Sequence, residues 1–167
     1  MDKRKITACC LILFLAGCSV KYTSRIQIPE PFQYKTKMSV WINSEVPFVG
    51  LAYSDLENDI KKSIEDDIRL NIFPNMVLSD ADVLVEAMVQ SISNNLLTGR
   101  CSCTISLTIS CNNVAIKRYA GSGSGFRMTT AGGIIVAVKK AMEHIKMSII
   151  QDRDEIKTAI ENQKFGK

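Results

Sequence analysis

Apolar and polar residues alternate most regularly between Cys101 and Cys111, where every odd position is Cys, Ile or Leu and every even one is Ser or Thr. A period of two held over eleven residues predicts a β-strand with one buried face, carrying all three cysteines. From Asp82 to Ser93 the pattern is apolar on two sides. Val83, Val85, Ala87 and Val89 share one face, while Leu84, Met88 and Ile92 share the other with Glu86 and Gln90. That suits a central strand partly covered on both faces, and a ligand pocket there would be lined by Leu84, Met88 and Ile92. Lys37 to Asn43 is a first strand with Met38, Val40 and Ile42 on one face and Trp41 on the other. Trp41 reads as packing under a helix or loop, with a recognition role as the alternative. Asn112-Asn113 suits a two-residue hairpin turn, because asparagine tolerates positive φ. Val114 to about Ala120 then returns as a fourth strand, with Cys111 opposite Val114 and Ile109 opposite Ile116.

Two stretches carry the helical period. Leu56, Ile60, Ile64, Ile68 and Ile72 recur every four residues behind Ser54-Asp-Leu-Glu57, a capping-box sequence, and stop at Phe73-Pro74-Asn75. Acids precede bases along this helix, as its dipole favours, and Asp66-Asp67 reads as a solvated face. Thr129 or Thr130 can cap a second helix whose stripe is Ile135, Val138, Met142, Ile145 and Ile149. Asp152 interrupts that stripe, and Ile156, Ala159 and Ile160 resume it, so the tail is a continuation, a separate short helix or a partner-binding arm. Strand, helix, strand, strand, strand, helix is an α+β plan: a two-layer sandwich of a mostly antiparallel four-stranded sheet with two helices on one face.

Before these elements lie Lys3-Arg4-Lys5, an apolar run from Ile6 to Leu15 broken by Thr7, and Leu15-Ala16-Gly17-Cys18. A basic end and an apolar core too short to span a bilayer form a secretory leader. The ending resembles the bacterial lipobox, and with it the chain resembles a bacterial lipoprotein precursor. The resemblance implies a diacylated Cys18 thiol, cleavage just before it and usually a third acyl chain on the freed amine. The chain then divides into a leader at 1–17, a lipidated tether at 18–36 and one α+β domain at 37–167. Ile28-Pro-Glu-Pro31 keeps the tether out of helix. Serine follows Cys18, and in enterobacterial-type lipoproteins the absence of aspartate there implies transfer to the outer membrane.

Loss of the leader leaves 150 residues, enough for one core, and lowers the formal charge from +4 to about +2. So small and mixed a charge gives no footprint for nucleic acid. With Cys9 and Cys10 in the leader and Cys18 acylated, Cys101, Cys103 and Cys111 remain, an odd number in a compartment that permits disulfides. Cys103 and Cys111 would lie roughly 26 Å apart along one strand, and Cys101 and Cys103 at about the limit of disulfide reach. The expectation is small buried hydrophobes first, a disulfide second and a metal site last, since the lone His144 belongs to another element.

Catalysis finds little to work with. A Ser–His–Asp site could use only His144, and no Gly-x-Ser-x-Gly elbow is present. Gly121-Ser-Gly-Ser-Gly125 matches neither the dinucleotide fingerprint nor the Walker loop and reads as a flexible connector. A carboxylate-only glycosidase would want an aromatic cleft in a larger domain. Asp82-Val-Leu-Val-Glu86 and Tyr119-Ala-Gly-Ser-Gly123, with the order of elements, resemble small outer-membrane accessory lipoproteins of the LptE and YajG types. Cys18 alone among those families' functional residues carries over. The expectation is a non-enzymatic, lipid-anchored accessory subunit of an envelope transport or secretion complex, facing the periplasm from the outer membrane. It needs no cofactor or metal and meets a protein partner. The alternative is a lipid- or glycolipid-binding carrier using a gap between helices and sheet.

Overall fold

The computed structural model describes residues 26, 28–43, 54–95, 98–127 and 129–166. The leader, Cys18 and the capping side chain of Ser54 lie outside the described residues. In chain order the elements are β1 (Thr36–Ile42), α1 (Ser54–Asn71), β2 (Val83–Asn95), β3 (Arg100–Cys111), β4 (Val114–Phe126), α2 (Thr130–Gln151) and α3 (Arg153–Phe165). The four strands form one sheet in the order β1-β2-β3-β4. β1 runs parallel to β2, as a strand returning through a helix can, and the other pairs are antiparallel. This is the α+β plan expected, with a third helix where the tail resumes its stripe.

The inward faces make one core. Leu56, Ile60, Ile64, Ile68 and Ile72 are all buried, as are Val83, Val85, Ala87, Val89 and the odd positions of β3 from Cys101 to Cys111. α1 ends where the Phe73 amide bonds to the Ile68 carbonyl at 2.9 Å and Pro74 denies the next turn a donor. Thr129 caps α2 by accepting from the Gly132 amide at 3.2 Å. On α2 the buried stripe holds Ile134, Val138, Met142, Ile145 and Ile149, with Ile135 only partly covered. Asn112 and Asn113 take φ of 50° and 62°, the mirror-image turn that matches strand twist.

Several expectations need correction. The core begins before residue 37, because Ile28 and Phe32 are buried in it and the Phe32 ring stacks on Phe73 at 5.0 Å. Two bulges shift the register. Gln90 is extra in β2, between Val89 opposite Ile105 and Ser91 opposite Thr104. Ile116 is extra in β4, so Ile109 lies opposite Lys117 and not Ile116, while Cys111 meets Val114 as expected. Among the described residues nothing covers the outer face of β2: the helices pack on the other side of the sheet, leaving Met88 exposed. Trp41 is likewise exposed and under no helix, its indole N–H donating to Ser39 Oγ at 3.1 Å.

Candidate functional site

The run Gly121-Ser-Gly-Ser-Gly125 is not a connector. It is the second half of β4, and its glycines face inward opposite Ile105, Cys103 and Cys101. A Cβ at Gly121 would strike the Ala141 carbonyl oxygen, one at Gly123 that of Ala137, and one at Gly125 that of Gly133. Those three acceptors are four residues apart on α2. A stripe without side chains on the strand therefore lies against a stripe of small residues on the helix, and backbone meets backbone. Glycine costs a strand stability, and here the close approach offsets that cost.

This contact decides what the interior can hold. With α2 seated directly on β4, and Ile105, Leu107, Met142 and Ile145 filling the layer beside it, the described interior is packed side chain against side chain. The three residues expected to line a pocket do not converge. Leu84 and Met88 point to the open face, whereas the Gln90 bulge turns Ile92 to the helix side, opposite Cys103. Two open grooves lie at the surface of the described residues. One, of about 580 Å³, runs between residues 29–34 and α3, with Pro29, Phe32 and Tyr34 on one side and Arg153, Lys157 and Glu161 on the other. It is braced by Arg153, which donates to the Glu30 carboxylate at 2.6 Å and to the Glu30 carbonyl at 3.1 Å. Burial, then the nearby Glu161 carboxylate, raises the Tyr34 hydroxyl pKa. The other, of about 470 Å³, sits at the end of the β2–β3 hairpin beside Arg100 and Phe126.

The three thiols are free and buried. Burial pushes Cys103 up to about 12 and raises Cys101 and Cys111 as well. A thiol so disposed is a poor nucleophile and a poor metal ligand. Among the described residues no group of three His, Cys, Asp or Glu side chains could hold a metal ion. His144 is exposed on α2. Asp66 pairs with Arg69 at the surface at 2.9 Å, but Asp67 does not belong to a solvated face. Its Oδ1 accepts from the fully buried Lys146 of α2 at 2.8 Å and from Asn71 at 2.6 Å. That ion pair clamps α1 to α2 and escaped the sequence reading. The signal was present, because Lys146 stands four residues after Met142, within the apolar stripe.

Asp152 ends α2 and starts α3, and β4 holds it there. Tyr119 donates to its carboxylate at 3.2 Å, and Lys117 reaches Asp152 at 3.4 Å and Glu155 at 2.7 Å. The Glu155 hydrogen bond leads in raising the Lys117 pKa, and burial leads in raising that of Tyr119.

No family model matches the chain, and no curated protein sequence does. Solved structures give only partial likenesses. A dodecameric PelC from Paraburkholderia phytofirmans is 12% identical over 72% of this chain and 93% of its own, with a TM-score of 0.42. Protein XCC0632 from Xanthomonas campestris is 10% identical over 77% and 89%, with a TM-score of 0.43. A minor lipoprotein from Acinetobacter baumannii is 12% identical over 71% and 94%, with a TM-score of 0.37.

Proposed function

We propose that the chain is a lipid-anchored accessory subunit of a cell-envelope transport or secretion complex, held at the periplasmic face of the outer membrane through Cys18 and catalysing nothing itself. The anchor rests on Leu15-Ala16-Gly17-Cys18 behind its basic and apolar leader. The preference for a subunit over a lipid carrier rests on one observation, the backbone contact of Gly121, Gly123 and Gly125 with α2. Between α2 and β4 it leaves no slot for an acyl chain, and a carrier pocket would need several hundred Å³ of enclosed apolar space. The described interior is filled instead, and large apolar side chains stand exposed at Trp41, Met88, Phe126 and Phe165.

The mechanism is tethering. Each buried acyl methylene is worth roughly 0.8 kcal/mol, so two or three chains make release negligible. Confinement raises the body's effective concentration beside a partner in the same membrane. Crosslinking in intact cells, followed by mass spectrometry, is the test. A protein adduct that Cys18→Ser greatly reduces, with the body released from the membrane fraction, is expected. Recovery of lipid with no protein adduct would contradict the reading.

A further inference from the structure

The helices leave one face of the sheet open, and that face has a pattern. Its outward residues run in rows across the strands: Ser39, Glu86, Thr108, Arg118 in one, and Trp41, Met88, Ser106, Ala120 in the next. Beyond the Gln90 bulge two rows are hydroxyl-bearing, Ser91, Thr104, Ser122 and then Ser93, Ser102, Ser124, before a last row of Asn95, Arg100 and Phe126. Hydroxyls on neighbouring strands bond to each other, Ser93 to Ser102 at 2.7 Å and Thr104 to Ser122 at 3.2 Å. Hydroxyls satisfied within the sheet lose less on leaving water than free ones do. Trp41 is 55% and Met88 43% exposed, and they are cross-strand neighbours.

We propose that this face is the seat of a second copy of the same chain, packed sheet on sheet about a twofold axis parallel to the strands and between β2 and β3. Such an axis lays each row on its own reverse, as an isologous contact requires. Trp41 then falls on Ala120 of the second copy, the largest side chain of the row on one of its smallest, and Met88 falls on Ser106. In the adjoining row Arg118 comes to rest over Ser39, one strand from Glu86. Each acid thereby gains a base, twice by symmetry. Neither Glu86 nor Arg118 has an ion-pair partner among the described residues of the single chain. The size also fits. Four strands at about 4.8 Å spacing and 3.3 Å per residue give a face of about 700 Å², against about 800 Å² per partner in a stable interface. Two sheets at about 10 Å make the core of a sandwich.

The test uses the processed, full-length protein extracted in mild detergent. Sedimentation should show a two-copy species that Arg118→Glu or Glu86→Arg weakens about tenfold or more, by placing like charges together. The double charge swap should restore it. A thiol introduced at Thr108→Cys, close to the axis, should join two copies through a short bis-maleimide, while one at Lys62→Cys on α1, and the chain with only its buried Cys101, Cys103 and Cys111, should not. Circular dichroism checks that each variant folds. A single-copy mass at every concentration, a larger ring, a dimer indifferent to the charge swaps, or efficient joining through Lys62→Cys would each overturn the proposal. So would a different protein joined at Thr108→Cys in cells.

Discussion

Gly123 sits where a single methyl group would collide with the Ala137 carbonyl and the Ala141 amide, both backbone atoms that cannot turn aside. Gly123→Ala is therefore expected to cost about 1–3 kcal/mol by overpacking, read from the urea midpoint. Ser124→Ala, one residue on and facing outward, should stay within about 0.5 kcal/mol. Equal effects at the two positions would remove the close-approach account. A Gly-Ser run has the composition of a linker, which hid the strand. Its legible signature was the pairing of glycine at every second position with Gly133, Ala137 and Ala141 four apart on the next helix. Cys103 supports a second prediction. Below its ordinary pKa near 9 the thiol is protonated in folded and unfolded chains alike. Between there and about 12 only the unfolded chain ionises, so stability falls as pH rises through that window. Cys103→Val should flatten the alkaline fall of the urea midpoint, and an unchanged slope would count against a buried neutral thiol.

Among the elements, those with an unbroken period could be read directly. α1, the inward face of β2, the β3 alternation and the Asn112-Asn113 turn all follow from spacing. The bulges do not, because a period of two says nothing of where an extra residue enters. Gln90 sends Ile92 to the helix side, and Ile116 sets Lys117 against Ile109, within reach of Asp152 and Glu155. Half of the Asp67–Lys146 clamp was legible, as a lysine inside an apolar stripe, but its partner Asp67 shows itself only once α1 is set against α2. Lys146→Ala would leave the largely buried Asp67 carboxylate with Asn71 but without its counter-charge, and is expected to cost about 3–5 kcal/mol. Replacing both partners, Lys146→Met with Asp67→Leu, should recover most of that loss. Equilibrium unfolding of the three variants measures it, and a double variant as weak as the single one would contradict the clamp.

For the whole molecule, the order of elements was legible because it is a one-dimensional pattern, and the proposed anchor rests on a pattern of the same kind. What the body meets was not legible, because it depends on which faces the helices leave bare. The fold puts those bare surfaces on the outer sheet face and in the groove beside residues 29–34. A body held by two or three acyl chains should stay with the membrane through washes in high salt and at alkaline pH, and leave it only in detergent. Intact mass analysis of the mature amino terminus tests the central claim most directly. The account predicts a chain beginning at Cys18 and carrying a diacylglyceryl thioether, with or without an acylated amine. An unmodified thiol at Cys18, or a retained leader, would contradict it.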